Sequence, residues 1–230
     1  RGLGDVYKRQ PPTSVESLAD ALVAELTPGA HLVVPIANGE PVRLLDAVEA
    51  RADDLQAVRI HQMHALHDRP YLHGAHAGRL DHVSWFLSPV TRPAFHAGGC
   101  HFAPANFSEV PQFLMAKQPH AVLAAASAMD RYGYFSLGVG ADYAAAMIGR
   151  VPFIHEVNPH MPTTHGANRV HHREVLGWCE AESDLVEVPP AEIDAIDTTI
   201  AELIADRIPD GATIQLGIGA IPTACLLYTS

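Results

Sequence analysis

The stretch "TPGAHLVVPIANGEP" (Thr27–Pro41) contains the signals that decide the fold. A Pro-Gly pair ends the helical pattern before it, and "HLVVPI" (His31–Ile36) has the apolar run of a short buried strand. "ANGEP" then turns the chain toward a helix, with Pro41 suited to its first turn. Upstream, Thr13 and Glu16 form a capping-box pattern ahead of apolar residues at helical spacing. Helix, strand and helix in this order indicate a parallel sheet covered by helices.

The same alternation continues along the chain. Apolar runs predict four further strands, at Ala57–Ile60, His82–Leu87, His120–Ser127 and Val151–Val157. A short apolar stretch predicts one helix at Asp142–Arg150. Most of residues 61–105 shows no clear periodicity. The pattern as a whole predicts an α/β domain.

A second copy of the opening stretch lies near the end of the chain. "PDGATIQLGIGAIP" (Pro209–Pro222) again runs through a turn, a Gly-Ala pair, a strand at Thr213–Leu216 and a glycine loop to a proline. A predicted amphipathic helix precedes it, with an apolar face formed by Ile193, Ile196, Ile200, Leu203 and Ile204. We therefore predict an N-terminal α/β domain over residues 11–190, a junction near Pro189–Pro190, and the start of a similar second domain over residues 191–224. The alternative is that two ordinary strand–loop–helix units resemble each other by chance.

Both ends of the chain differ in character from the rest. Residues 1–10, "RGLGDVYKRQ", and residues 225–230, "CLLYTS", resemble one sequencing-adapter sequence translated in its two directions. We interpret both as foreign, so that residues 11–224 are an internal fragment of a longer protein. Natural tails are the alternative interpretation.

Composition narrows the classes of function. A formal net charge of −11 argues against nucleic acid or an anionic membrane as a partner. No apolar run approaches the ~20 residues of a membrane span. The three cysteines form no CxxC pattern, which is typical of free thiols in a reducing cytoplasm.

The loop between the predicted strand and helix of the second unit is the sharpest candidate site. Small residues there let a ligand approach the backbone, and amides at a helix start suit a phosphate or an oxyanion. No Gly-Lys-Ser/Thr follows, which excludes a Walker loop, and Pro222 stands where a dinucleotide fingerprint has its third glycine. Plain strand–helix packing is an equally good account of the loop. The candidate residues for an acyl-CoA or oxyanion contact are Gly217, Ile218, Gly219, Ala220 and Ile221.

A second candidate is the polar loop "EVNPHMPTTHG" (Glu156–Gly166), which leaves a predicted parallel strand at its carboxyl end, where α/β folds bind ligands. Glu156 lies within the apolar strand and is better explained as a structural carboxylate than as a nucleophile or base. The candidate loop residues are Asn158, Met161, Thr163, Thr164, His165 and Gly166.

The fifteen histidines suggest a metal site, and His61, His64 and His67 recur at every third residue. Neither cysteines nor carboxylates complete a zinc pattern beside them. We therefore predict no metal, and histidines that form hydrogen bonds or line a pocket.

Three stretches together resemble the acetyl-CoA hydrolase/transferase family, which includes 4-hydroxybutyrate and butyrate CoA-transferases. They are "DRYGYFSLGVGADY" (Asp130–Tyr143), the Glu156–Gly166 loop and "DGATIQLGIGAIP" (Asp210–Pro222). The resemblance covers about the first half of a family member and implies two related α/β domains of the CoA-transferase superfamily. Two positions depart from the family pattern: Thr163 replaces an expected arginine and Tyr132 replaces a usual histidine.

The resemblance also implies a mechanism. In such enzymes a glutamate attacks the acyl-CoA thioester and then carries CoA as a glutamyl thioester, with no bound metal or redox cofactor. That glutamate is expected beyond Ala224, so this chain holds no catalytic residue and is expected to be inactive alone. The implied substrates are acyl-CoA and a small carboxylate, and the full-length protein is expected to be a cytoplasmic homo-oligomer.

Three other functions remain open at this point. An acetyl-CoA hydrolase of the same family would share every motif. A non-enzymatic sensor of the same superfamily would bind a small phosphorylated effector and would lack the downstream glutamate. A nicotinamide oxidoreductase is disfavoured by Pro222.

Overall fold

A computed structural model describes residues 12–189 and 191–229. The chain divides into two compact units that meet between Leu185 and Val186, close to the junction predicted at Pro189–Pro190, of which Pro190 lies outside the described residues. The predicted boundaries of the two domains remain predictions. The two units are described separately below.

The first unit contains nine strands and four α-helices among its described residues. The strands are β1 (His31–Val33), β2 (Val58–Gln62), β3 (Leu80–Ser84), β4 (His101–Phe102), β5 (Ala121–Ala126), β6 (Tyr134–Ser136), β7 (Phe153–Val157), β8 (Arg169–His171) and β9 (Val175–Glu180). The helices are α1 (Val15–Glu25), α2 (Val42–Glu49), α3 (Thr91–His96) and α4 (Val110–Ala116).

Seven of these strands form one parallel sheet in the order β4-β3-β2-β1-β5-β7-β9. Strands β2, β3 and β4 are added one after another on one side of β1, and β5 pairs with β1 on its other side. The strand order therefore reverses between β1 and β5. Strands β6 and β8 form a separate antiparallel pair. This architecture confirms the predicted α/β class.

A hydrophobic core lies on each face of the sheet. One core packs Leu32 and Ile60 against α1 and α2, and the other packs Val33 and Val122 against α4 and the loops near Tyr143. The central strand β5 reads AVLAAA and is buried throughout. A continuous apolar run of this kind is typical of a parallel strand covered on both sides.

Several predicted boundaries are wrong for local reasons. Strand β1 ends at Val33 rather than at Ile36, just before Pro35, which has no N–H for a sheet ladder. The helix predicted over Asp142–Arg150 is only a 3-10 turn at Ala145–Met147. The cap of α1 is Ser14, whose hydroxyl accepts from the Ser17 amide at 3.1 Å, and not Thr13.

The second unit consists of α5 (Ala195–Ala205) and α6 (Ala220–Thr229), which pack through Ala201, Ala224 and Cys225. Helix α6 continues through residues 225–229, which the sequence analysis set aside as foreign. The strand predicted at Thr213–Leu216 is not formed, and the described part of this unit contains no strand that could pair with it. An isolated strand leaves its amides and carbonyls without partners, so it does not persist alone.

The apolar face predicted on α5 is only partly correct. Ile196, Leu203 and Ile204 are exposed, because the contact with α6 runs through the small side chain of Ala201. Among the described residues, no helix of either unit is both long enough and apolar enough to pass through a lipid bilayer.

Glu156 links the sheet to α2. Its buried side chain, near the carboxyl end of β7, accepts a hydrogen bond from the Leu44 amide at 2.7 Å and another from the Arg43 amide, both in the first turn of α2. First-turn amides have no partner within their own helix, and a carboxylate suits the positive end of the helix dipole. The prediction of a structural carboxylate is confirmed. Burial nevertheless raises the pKa of Glu156 to about 7.

This raised pKa gives a pH-dependent stability. Because the folded state holds the proton more tightly than the unfolded state, the contribution is fully present below the ordinary pKa of 4.5 and is lost as the pH rises through 7. Glu156→Gln keeps an acceptor oxygen but cannot ionise. We expect it to reduce the loss of unfolding free energy between pH 5 and 8 by up to about 3 kcal/mol. Urea unfolding at both pH values measures this, with the exposed Glu25→Gln as control. An unchanged pH dependence in Glu156→Gln would contradict the assignment.

Candidate functional site

The crevice at the carboxyl ends of β1 and β5 is where a parallel sheet of this order places its ligands. The loop after β1 crosses this crevice and contains a 3-10 helix at Ala37–Gly39. Ala37 has a φ of 48°, which a non-glycine residue seldom adopts, and its amide donates to the His64 carbonyl at 2.9 Å. The loop is therefore held in a strained shape by the chain that follows β2.

A second loop, which follows β6, lies directly against the first. A methyl group on Gly140 would come 2.7 Å from the Cα of Gly39, so the two backbones touch where both residues lack side chains. Next to this contact, Asp142 accepts a hydrogen bond from the Ile36 amide, and the Tyr143 hydroxyl donates to the Val34 carbonyl. The two loops form one packed layer over the sheet.

The third loop is the predicted candidate, Asn158–Gly166, and it packs on the second. The Thr164 hydroxyl donates to the Gly138 carbonyl at 2.9 Å, and Met161 fills the space beside Gly138, where a methyl group would lie 2.3 Å from its sulfur. Asn158 is buried and its side-chain amide donates to the Ser183 carbonyl at 2.8 Å. These three candidates therefore have packing roles.

The remaining candidates of this loop are at the surface. Thr163, His165 and Gly166 are exposed, as is Tyr132, the other departure from the family pattern. Of the six residues predicted here, the structure thus brings three to an accessible edge and buries or half-buries the other three.

Two carboxylates that the sequence analysis missed hold the crevice together: Glu40 is buried and Asp142 is half-buried. Burial raises the pKa of Asp142 to about 7, although the Ala144 and Ile36 amides that donate to it lower that pKa in part. Glu40 accepts from Gln62 Nε2 at 2.6 Å and from Arg69 Nη1 at 3.3 Å, and it also contacts His67. Burial raises the pKa of Glu40, but the His67 hydrogen bond and the Arg69 charge outweigh it, and the pKa lies below its ordinary value.

The glycine loop belongs to the second unit. It ends at Ala220, where α6 begins, and the carbonyl of Gly219 accepts from the Thr223 amide at 3.1 Å and from the Thr223 hydroxyl at 2.8 Å. Gly219 has a φ of 140°, Ile218 is fully exposed, and Ile221 is near the surface. The first amides of α6 thus follow an accessible backbone with few side chains, and the predicted oxyanion or phosphate contact at this loop stays a prediction.

The histidines that suggested a metal are dispersed. His61 pairs with His31, His67 contacts Glu40, and the His73 ring contacts Asp68. Among the described residues, no three histidine, cysteine or acidic side chains converge as metal ligands would. Their observed contacts are hydrogen bonds and ion pairs.

The backbone contact between Gly39 and Gly140 can be tested by adding a side chain at Gly140. Gly140→Ala places a methyl group against the backbone of Gly39, and we expect it to lower the free energy of unfolding by about 1–3 kcal/mol, as overpacking does. Val139→Ala changes an exposed neighbour and serves as the control, with an expected effect within about 0.5 kcal/mol. Urea unfolding of both variants checks this. Equal stabilities would show that the loops are not in contact.

Relatives of the chain were found in sequence and in structure. A 4-hydroxybutyrate coenzyme A transferase of Clostridium kluyveri is 33% identical over 228 residues, which is 97% of this chain and 52% of that protein. A succinyl-CoA:cyclohexane-1-carboxylate CoA transferase of Geobacter metallireducens is 32% identical over 95% of this chain and 50% of its own length. The chain spans about half the length of these relatives.

Among solved structures, RipA from Yersinia pestis matches with a TM-score of 0.85 and 30% identity, over 99% of this chain and 55% of that one. A 4-hydroxybutyrate CoA-transferase from Porphyromonas gingivalis matches with a TM-score of 0.77 and 27% identity, over 96% of this chain and 51% of its own. The profile of the acetyl-CoA hydrolase/transferase N-terminal domain matches residues 18–196. With this match and relatives of 32–33% identity along nearly its whole length, the chain belongs to the acetyl-CoA hydrolase/transferase family of enzymes.

Proposed function

We propose that the chain is the N-terminal part of an acyl-CoA:carboxylate CoA-transferase that acts on short acyl groups of the acetate, butyrate and 4-hydroxybutyrate class. The observation that carries the proposal is the 33% identity to a 4-hydroxybutyrate coenzyme A transferase over 97% of this chain. A butyryl-CoA:acetate CoA-transferase of Anaerostipes caccae, 33% identical over 61% of this chain, supports the same substrate class.

The proposed reaction proceeds through the enzyme covalently. A glutamate carboxylate attacks the thioester carbonyl and releases CoA thiolate, which leaves an acyl-glutamyl anhydride. The thiolate then attacks the glutamyl carbonyl, releases the acyl group as its free carboxylate and leaves a glutamyl-CoA thioester. The acceptor carboxylate repeats these two steps in reverse. No oxidant, reductant or permanently bound cofactor takes part.

The nucleophilic glutamate is proposed to lie outside this chain. Near the crevice, the carboxylates of Glu40, Asp142 and Glu156 all accept hydrogen bonds that hold loops or a helix in place. A nucleophile must instead reach the substrate with a free lone pair. The chain corresponds to about half of its relatives, and we assign the nucleophile to the other half.

Residues Gly217–Ile221 are proposed to contact the thioester. Backbone amides at an accessible helix start can stabilise the oxygen that becomes negatively charged during attack, and preorganised donors of this type contribute ~3–4 kcal/mol. Thr163, His165 and Gly166 are proposed to contact the acceptor carboxylate. Thr163 stands where the family pattern implies an arginine, so an uncharged hydroxyl replaces a guanidinium at this proposed contact.

Two alternatives differ in the fate of CoA. In an acetyl-CoA hydrolase, water would cleave the enzyme-bound intermediate and release free CoA, and a non-enzymatic sensor would transfer no group at all. The family consists of enzymes, which favours the first of these over the second. Location in the cytoplasm and assembly into a homo-oligomer are part of the proposal for the complete protein.

Kinetics of the complete protein that carries this chain test the proposal. With acetyl-CoA and butyrate varied together, a covalent route predicts parallel double-reciprocal lines and little hydrolysis. Gly217→Val should lower kcat/KM by roughly 100-fold, because it places a branched side chain beside the proposed donors. Gly217 suits this test better than Gly219, since its φ is ordinary and the nearest atom to an added Cβ is 3.9 Å away.

Ile214→Val, in the segment before the loop, is the matched control and should retain normal rates. Intersecting lines would contradict the covalent route, and dominant hydrolysis would favour the hydrolase. Normal turnover in a folded Gly217→Val enzyme would remove the loop from the site.

A further inference from the structure

A separate cavity of about 490 Å³ opens on the face of the sheet that carries α4. Side chains of β1, β2 and β3 form its floor, and Phe113, Ala116 and Lys117, at the end of α4, form one wall. All of these residues belong to the first unit. Nothing in the proposed transfer reaction uses this cavity.

The lining has an unusual charge for so acidic a protein. The chain has a net charge of −11, yet no aspartate or glutamate lines the cavity, whereas Arg59, Lys117 and three histidines do. Within the described part of the chain, neither Arg59 nor Lys117 forms an ion pair. Two cations without an ion-pair partner at one opening favour an anionic ligand.

One of the histidines, His31, also presents a hydrogen-bond donor to the cavity. Trp85 Nε1 donates to His61 Nδ1 at 3.2 Å, so a neutral His61 keeps its proton on Nε2. His61 is neutral because burial lowers its pKa to about 3. Its Nε2–H therefore donates to His31 Nδ1 at 2.8 Å, which leaves the proton of a neutral His31 on Nε2. This chain of hydrogen bonds makes His31, at the cavity, a donor.

The apolar part of the lining is flat. The rings of Trp85 and Phe113 stack with centroids 6.2 Å apart at 23°, and Val83 lies beside them on the floor. Burial lowers the pKa of His31, and the nearby charges of Arg59 and Lys117 lower it further. Aromatic surface and cationic donors thus meet in one cavity.

From this combination we propose that the cavity is a binding site for a small aromatic carboxylate, whose carboxylate contacts Arg59, Lys117 and His31 and whose ring lies against Trp85 and Phe113. A cation is excluded by the charge of the lining. A purely apolar ligand would leave the donors without partners, which costs binding energy. The proposal rests on the first unit alone and is independent of the proposed transferase reaction.

Benzoate is the probe for the test, and Trp85 is its reporter. The chain has two tryptophans, so Trp178→Phe leaves fluorescence from Trp85 alone and retains an aromatic ring at position 178. We expect a saturable change with a dissociation constant of about 1 mM or tighter. Acetate, which lacks the ring, and benzyl alcohol, which lacks the charge, should each bind at least about 10-fold more weakly. Calorimetry on the unsubstituted chain repeats the benzoate titration without the Trp178 change.

Charge-removing variants identify the site. Arg59→Gln and, separately, Lys117→Gln should weaken benzoate binding by about 10-fold, whereas Arg150→Gln, an exposed arginine outside the cavity, should not. Circular dichroism confirms that each variant is folded. No saturable binding, equal affinities in Arg59→Gln and Arg150→Gln, or equal binding of benzyl alcohol and benzoate would each overturn the proposal.

Discussion

The backbone contact between Gly39 and Gly140 is the constraint on which the rest of the crevice depends. The two residues are separated by a hundred positions of sequence, and their Cα atoms meet only because neither carries a side chain. This contact lets the loop after β1 and the loop after β6 lie as one layer. Asp142 and Tyr143 then reach the backbone of the first loop, and Met161 and Thr164 bring the third loop onto Gly138. The accessible edge at Thr163–Gly166 is positioned by this stack.

Carboxylates provide the polar contacts of the same crevice. Glu40 and Glu156 are buried and Asp142 is half-buried, and each accepts hydrogen bonds from amides or side chains. Of the three, only Glu40 accepts a hydrogen bond from a full cation, Arg69, and only its pKa falls below the ordinary value, whereas those of the other two are raised to about 7. Carboxylates engaged in this way serve the scaffold. Their structural roles agree with the proposal that the nucleophilic glutamate lies outside this chain.

The sequence predicted the features that depend on local patterns. Alternating strands and helices gave the α/β class, and the strand context of Glu156 indicated its structural role. Features that depend on distant partners were missed. Nothing near Gly140 in sequence indicates Gly39 as its neighbour, and Glu40 and Asp142 look like ordinary loop residues until the loops meet. The strand predicted at Thr213–Leu216 fails for the same reason, because a strand forms only beside a partner. Half of the predicted loop residues are packed inward because alternation in an irregular loop has no fixed period.

The proposed function assigns to this chain the scaffold and the oxyanion contact of a CoA-transferase, and to the remaining half of the protein the nucleophile. Mass spectrometry of the complete protein, digested after incubation with acetyl-CoA and without acceptor, tests this assignment. We expect a CoA adduct on a glutamate outside residues 12–224, and none on peptides that contain Glu40, Asp142 or Glu156. An adduct on any of those three residues, or turnover without any adduct, would contradict it.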